Sequence, residues 1–127
     1  MATQLRVLVA DDDPMLRMAL SEVIEAEVDL HVIAAAADAE EAADLAERHS
    51  PDVAVIDVRM PRGGGSHATR EIRTRSPRTQ VLAFSAYDDS GAAEELKRLG
   101  AREFLVKGIT NAEIIAAVRR AGAAVST

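Results

Sequence analysis

An open parallel α/β sheet with helices on both faces is the architecture this sequence predicts. Three observations predict it. Short apolar runs alternate five times with amphipathic segments of helical length. The runs are built from Val, Ile, Leu and Ala, as strands buried on both faces are. The connections between runs and helices are short, as in strand–helix–strand units.

Residues 5 to 10, Leu-Arg-Val-Leu-Val-Ala, form the first predicted strand, which ends in Asp11-Asp12-Asp13. Asp13 before Pro14 is a natural N-cap with proline in the first turn. Leu16, Ala19, Leu20, Val23 and Ile24 then keep the spacing of one helical stripe. His31 to Ala36 is the second run. Asp38 with Glu41 resembles a capping box for an Ala-rich helix. That helix should end near Ser50, because Pro51 disfavours helix at the residue before it.

Pro51 to Pro61 is the centre of the chain. A buried-strand run, Val53 to Ile56, ends abruptly in Asp57. Taken alone, a carboxylate there suits loop capping as well as chemistry. At the carboxyl end of a central strand it stands where open α/β sheets bind ligands. Gly63-Gly64-Gly65 makes a permissive loop, and Ser66 to Arg75 a weaker helix anchored by Ile72. Thr79 to Phe84 is the fourth strand, ending in Ser85. Ser90 to Leu99 is the fourth helix, with Ala92, Leu96 and Leu99 on one stripe and Gly100 at C′. Glu103 to Val106 is the fifth strand, ending in Lys107. Thr110 with Glu113 caps a last helix carrying Ile114, Ile115, Val118 and Ala121. Residues 1 to 4 and about 122 to 127 read as loose ends.

The 127 residues suit one domain. A net charge of −6 argues against nucleic-acid wrapping by this domain. The absence of Cys excludes disulfides and thiolate metal sites and fits a reducing cytoplasm. The N-terminal residues lack a signal-peptide pattern, and no apolar stretch approaches membrane-spanning length. His31, His49 and His67 show no ligand spacing. Arg70, Arg73, Arg75 and Arg78 read as a solvated face, with an acidic partner as the lesser reading.

In a parallel sheet all strand ends lie on one edge. Asp11, Asp12, Asp57, Ser85 and Lys107 then converge there, in the crevice beside neighbouring first and third strands. Crowded carboxylates destabilise one another unless a cation joins them. Mg²⁺ suits such an oxygen-rich site. An Asp beside it can attack phosphorus to make an acyl phosphate, with Ser85 and Lys107 taking phosphoryl oxygens.

These residues resemble a family. Asp11-Asp12, Asp57 with Met60-Pro61 and Gly65, Ser85-Ala86 and Lys107 look like the receiver (CheY-like) domain of bacterial two-component response regulators. The resemblance covers about residues 5 to 121, in a single domain of residues 1 to 127. It implies a flavodoxin-like (βα)5 fold with strand order 2-1-3-4-5. It implies Asp57 as phosphoacceptor from a histidine kinase. It implies Mg²⁺ (with Mn²⁺ as a substitute) held by Asp12, Asp57 and the Arg59 backbone carbonyl, and by Asp11 through water. Ser85, Ala86 and Lys107 would bind the phosphoryl group. Ser85 and Phe104 would act as the switch that alters the face made by the fourth helix, fifth strand and fifth helix. Through that face the chain would meet a downstream effector or a second copy of itself. Arg59 and Tyr87 stand where the family tunes phosphoryl lifetime. The family places Pro after the lysine, often through a cis bond; Gly108 stands here, so a trans bond is expected, with unusual φ/ψ presenting the lysine. The implied catalysis is autocatalytic phosphorylation and dephosphorylation only. A phosphorylation-independent interaction module of the same fold is the alternative. An Asp-based phosphatase ranks low, because Arg59 stands where such enzymes carry a second acid. The chain suits either a stand-alone regulator or the receiver of a longer one.

Overall fold

The computed structural model describes residues 4 to 85 and 90 to 125. Five strands alternate with five helices: β1 (Leu5–Ala10), α1 (Pro14–Glu25), β2 (Leu30–Ala36), α2 (Ala39–His49), β3 (Val53–Asp57), α3 (Gly64–Arg75), β4 (Gln80–Ser85), α4 (Ser90–Leu99), β5 (Ala101–Val106) and α5 (Asn111–Val125). All strand pairs are parallel, and the sheet order is β2-β1-β3-β4-β5. This is the doubly wound (βα)5 arrangement expected from the alternation. Among the described residues no helix is long and apolar enough to cross a membrane.

Strand alternation divides the core in two. Leu8, Ala10, Ala54, Ile56, Val81 and Ala83 face α2, α3 and α4, meeting Ala42, Ala46, Ile72 and Leu96. Val7, Val9, Val53, Val55, Leu82 and Phe84 face the other way, meeting Leu20 and Ile24 of α1 and Ile114, Val118 and Ala121 of α5. Every residue of β3 is buried, which explains its unbroken apolar run.

Several local signals act as the sequence predicts. Asp13 caps α1 by accepting from the Met15 and Leu16 amides, with Pro14 at the first helical position. Asp38 accepts from the Glu41 amide while the Glu41 carboxylate accepts from the Ala37 amide. Thr110 accepts from the Glu113 amide at α5. Helix α2 stops at His49, and Ser50 adopts φ +45°, since Pro51 bars the helical conformation before it.

The boundaries differ in five places. Strand β2 begins at Leu30 rather than His31, and β4 spans Gln80–Ser85 rather than 79–84. Strand β5 begins at Ala101, paired with Val81, two residues before the predicted start. Helix α3 begins at Gly64, inside the predicted loop. Helix α5 continues to Val125, so the chain is ordered past residue 122; Ala121 and Gly122 are buried, and Leu5 lies against Gly122. Gln4 is also placed, its side chain donating to the Val28 carbonyl. Leu16, predicted on the buried stripe of α1, is 46% exposed, because the stripe rolls toward Leu20 and Ile24.

The predicted solvated arginine face is corrected in part: Arg70 is exposed as expected, whereas the other three meet groups of the chain itself. Arg75 bridges α3 to α2 through Asp44 at 2.8 Å, with Glu40 and Glu71 nearby. Arg78 meets Asp52 at 2.8 Å, and Arg73 donates to the Pro77 and Thr79 carbonyls. These charges serve the chain's own packing.

Gly65 shows why α3 starts where it does. Its amide donates to the Val58 carbonyl at 2.8 Å. A Cβ there would lie 2.9 Å from the Val58 Cα and 3.3 Å from the Asp57 carbonyl oxygen. An alanine inside a helix ordinarily stabilises relative to glycine. Gly65→Ala is predicted to do the reverse, lowering stability by about 1–3 kcal/mol in urea unfolding as the β3–α3 turn is pushed apart.

Candidate functional site

Strand register brings the predicted site residues together. Ala10 lies opposite Ile56, so Asp11 and Asp57, each one residue further on, emerge side by side. Asp57 lies opposite Phe84, and Ser85 opposite Val106, so Lys107 leaves the sheet beside them. The Lys107 amide donates to the Ser85 carbonyl, extending the ladder to the site.

Carboxylate oxygens of Asp11, Asp12 and Asp57 lie within 4.8 Å of one another. Asp11 and Asp57 are buried, whereas Asp12 is exposed and faces the mouth. The Lys107 ammonium stands 3.3 Å from Asp11 Oδ2 and 3.5 Å from Asp57 Oδ1. It also lies 5.8 Å from the centre of the Phe84 ring, over its face. The Arg59 amide donates to Asp57 Oδ1 at 3.3 Å. Gly108 follows Lys107 through a trans bond with φ +106°, the left-handed backbone expected there. Nothing lies within 4 Å of where its Cβ would be, so backbone conformation alone favours glycine.

One ammonium does not balance three carboxylates. Burial first, and the neighbouring Asp11 charge second, raise the Asp57 pKa from 3.8 to about 6, against the lowering effect of Lys107. A buried carboxylate cluster with excess negative charge, open at Asp12, fits a hard divalent cation.

The sequence model of the response regulator receiver domain family matches residues 7–119. This chain belongs to that family. The receiver domain is 36% identical over 115 residues to Protein CcdB of Bacillus subtilis, covering 91% of this chain and 95% of that one. It superposes on the signal receiver domain of the putative response regulator NarL from Mycobacterium tuberculosis with a TM-score of 0.91 and 32% identity, over 95% and 98% of the two chains. It also resembles a chain of the CheX-CheY-BeF3-Mg²⁺ complex from Borrelia burgdorferi, with a TM-score of 0.86 and 25% identity, over 93% and 89% of the chains. The chain spans about half the length of several transcriptional regulators among its curated relatives. Membership of the response regulator receiver domain family supports a phosphoacceptor signalling role.

Of the residues predicted for the receiver site, Asp11, Asp12, Asp57, Ser85 and Lys107 gather at one sheet edge, with Arg59 beside Asp57. Ser85 is buried. Phe104 lies apart from the cluster, half-buried against the core of α2, α3 and α4. Ala86 and Tyr87 fall outside the described residues. Of the three histidines, His31 Nδ1 makes a hydrogen bond with Glu25 at 2.8 Å and His67 Nε2 one with Glu40 at 3.0 Å.

Two contributors escaped sequence reasoning. Phe84 supplies the ring beneath Lys107, yet its sequence signal is only that of a buried strand residue. Arg17 donates from Nη1 to the Asp11 carbonyl at 2.8 Å, and nothing in the first helix marks it.

The raised Asp57 pKa makes a signed prediction. The native state keeps a proton that the unfolded chain releases, so stability falls as pH rises from about 4 through about 6. Asp57→Asn removes that penalty. In chelator, the variant is predicted to exceed the wild type by about 1–3 kcal/mol at pH 7.5, with the gap closing toward pH 4. Urea unfolding across this range measures it.

Proposed function

We propose that this receiver accepts a phosphoryl group on Asp57 from the phosphohistidine of a sensor kinase. The observation that carries the reading is the convergence of Asp11, Asp12, Asp57 and Lys107 at one sheet edge. An Asp57 carboxylate oxygen attacks phosphorus. The O–P bond forms as the N–P bond breaks, and the electron pair returns to the kinase imidazole. Bound Mg²⁺ would supply charge neutralisation for the phosphoryl oxygens, held by Asp11, Asp12, Asp57 and the Arg59 carbonyl.

The chain's own residues do the rest. Lys107 already stands between Asp11 and Asp57, and its ammonium moves to a phosphoryl oxygen as charge builds there. The Ser85 hydroxyl and the Ala86 amide take others. Drawing Ser85 toward the new dianion vacates space on the α4 side, and Phe104 rotates toward it. The face formed by α4, β5 and α5 then changes its affinity for an effector or for a second copy of the chain. Arg59 and Tyr87 flank the acyl phosphate and set its lifetime. On this reading the protein is a single cytoplasmic receiver domain, alone or as the N-terminal part of a longer regulator.

The competing reading is an interaction module that works without phosphorylation. Acetyl phosphate with Mg²⁺, followed by intact-mass measurement, separates the two. One phosphoryl adduct is expected on the wild type. None is expected on Asp57→Asn or in chelator. A wild type that never gains the adduct supports the phosphorylation-independent module.

A further inference from the structure

We propose that Arg17 is a positioning residue for divalent-cation binding: it locks the Asp11–Asp12 peptide against α1 so that both carboxylates face the cation site. The inference rests on the metal-binding reading of the three carboxylates given above.

The acidic turn lies just beyond the sheet. The last ladder partners of β1 are Ala10 with Ala36 and Ala10 with Ile56. The Asp11 amide still donates to the Ala36 carbonyl at 3.0 Å. Its carbonyl, however, has left the ladder, and Arg17 Nη1 donates to it at 2.8 Å. A carbonyl buried at such an edge needs a donor, and among the described residues Arg17 supplies it.

Asp13, the N-cap of α1, ties the same turn to the helix. The Asp13 amide donates to Asp11 Oδ1 at 2.9 Å. The Asp13 side chain in turn caps α1 through the Met15 and Leu16 amides, and the Arg17 amide donates to the Asp13 carbonyl at 2.9 Å. Asp11 is therefore gripped at its carbonyl by Arg17, at Oδ1 by Asp13 and at Oδ2 by Lys107. Lys107 is not a permanent anchor on the proposed reaction, since it transfers to the phosphoryl group. Arg17 is the cationic tie to Asp11 that the reaction leaves in place. The peptide that joins Asp11 to Asp12 is the one whose carbonyl Arg17 holds, so fixing it aims the exposed Asp12 carboxylate as well.

Charge and position make opposite predictions here. As a nearby cation, Arg17 repels a divalent ion, so removing its charge alone should tighten binding. As a positioning residue it supports the ligands, and removing such support typically weakens metal affinity 10–100-fold. Calorimetric titration of Mg²⁺ into the intact protein therefore decides the matter by sign. Arg17→Met is expected to raise the Kd about 10-fold. Arg17→Lys, which keeps a donor and the charge, is expected to fall between Arg17→Met and the wild type. It also keeps the test alive should Arg17→Met unfold. Equal or tighter Mg²⁺ binding by the variants, with the wild type binding normally, overturns the inference alone. A wild type with no Mg²⁺ site overturns the metal reading and the inference together.

Discussion

Like charges held close together govern this molecule. Asp11 and Asp57 are buried side by side because β1 and β3 are adjacent and in register, and Asp12 stands at the opening. The fold places the Lys107 ammonium between the buried pair. That leaves a net negative site at the edge of a largely aliphatic core. Burial and Asp11 together keep the Asp57 proton on longer than usual. The metal-free protein thus carries strain that a cation or a phosphoryl group with its counter-ion can relieve. Such strain at a functional centre is what makes a local chemical event able to redistribute conformers.

The scaffold around the site is correspondingly rigid. Two apolar layers clamp the sheet, one with α1 and α5, the other with α2, α3 and α4. Strand β3 is buried throughout and so cannot slip register without exposing its apolar residues. Gly65 lets α3 start directly under the end of β3, with its amide on the Val58 carbonyl. Buried Asp57 is fixed by the sheet, while Ser85 closes β4 and Lys107 follows β5.

The fold was legible because hydrophobic periodicity and capping agree at each step. Asp13-Pro14, Asp38 with Glu41, and Thr110 with Glu113 each start a helix in the structure as they do on paper. Boundaries were harder where a signal is absent. Ala101 joins β5 through pairing with Val81, which only tertiary structure supplies, and α5 runs on past Gly122, which packs against Leu5. The site was legible as a set of strand-end residues, since parallel topology alone gathers them. Arg17 and Phe84 were not, because each acts through a contact, to a backbone carbonyl and to an ammonium, that leaves no mark on local sequence. The arginines of α3 misled for a related reason. Arg75 pairs with Asp44 of α2, and Arg78, just past α3, pairs with Asp52, both distant in the chain.

The account stands on the electrostatic state of one carboxyl group. Carbon-detected NMR of the Asp57 side chain, titrated with and without Mg²⁺, reads that state directly. The metal-free protein should titrate near 6, and Mg²⁺ should move the midpoint down toward or below the ordinary carboxylate value. A midpoint near 3.8 that ignores Mg²⁺ would contradict the claim that crowded, buried carboxylates define this site.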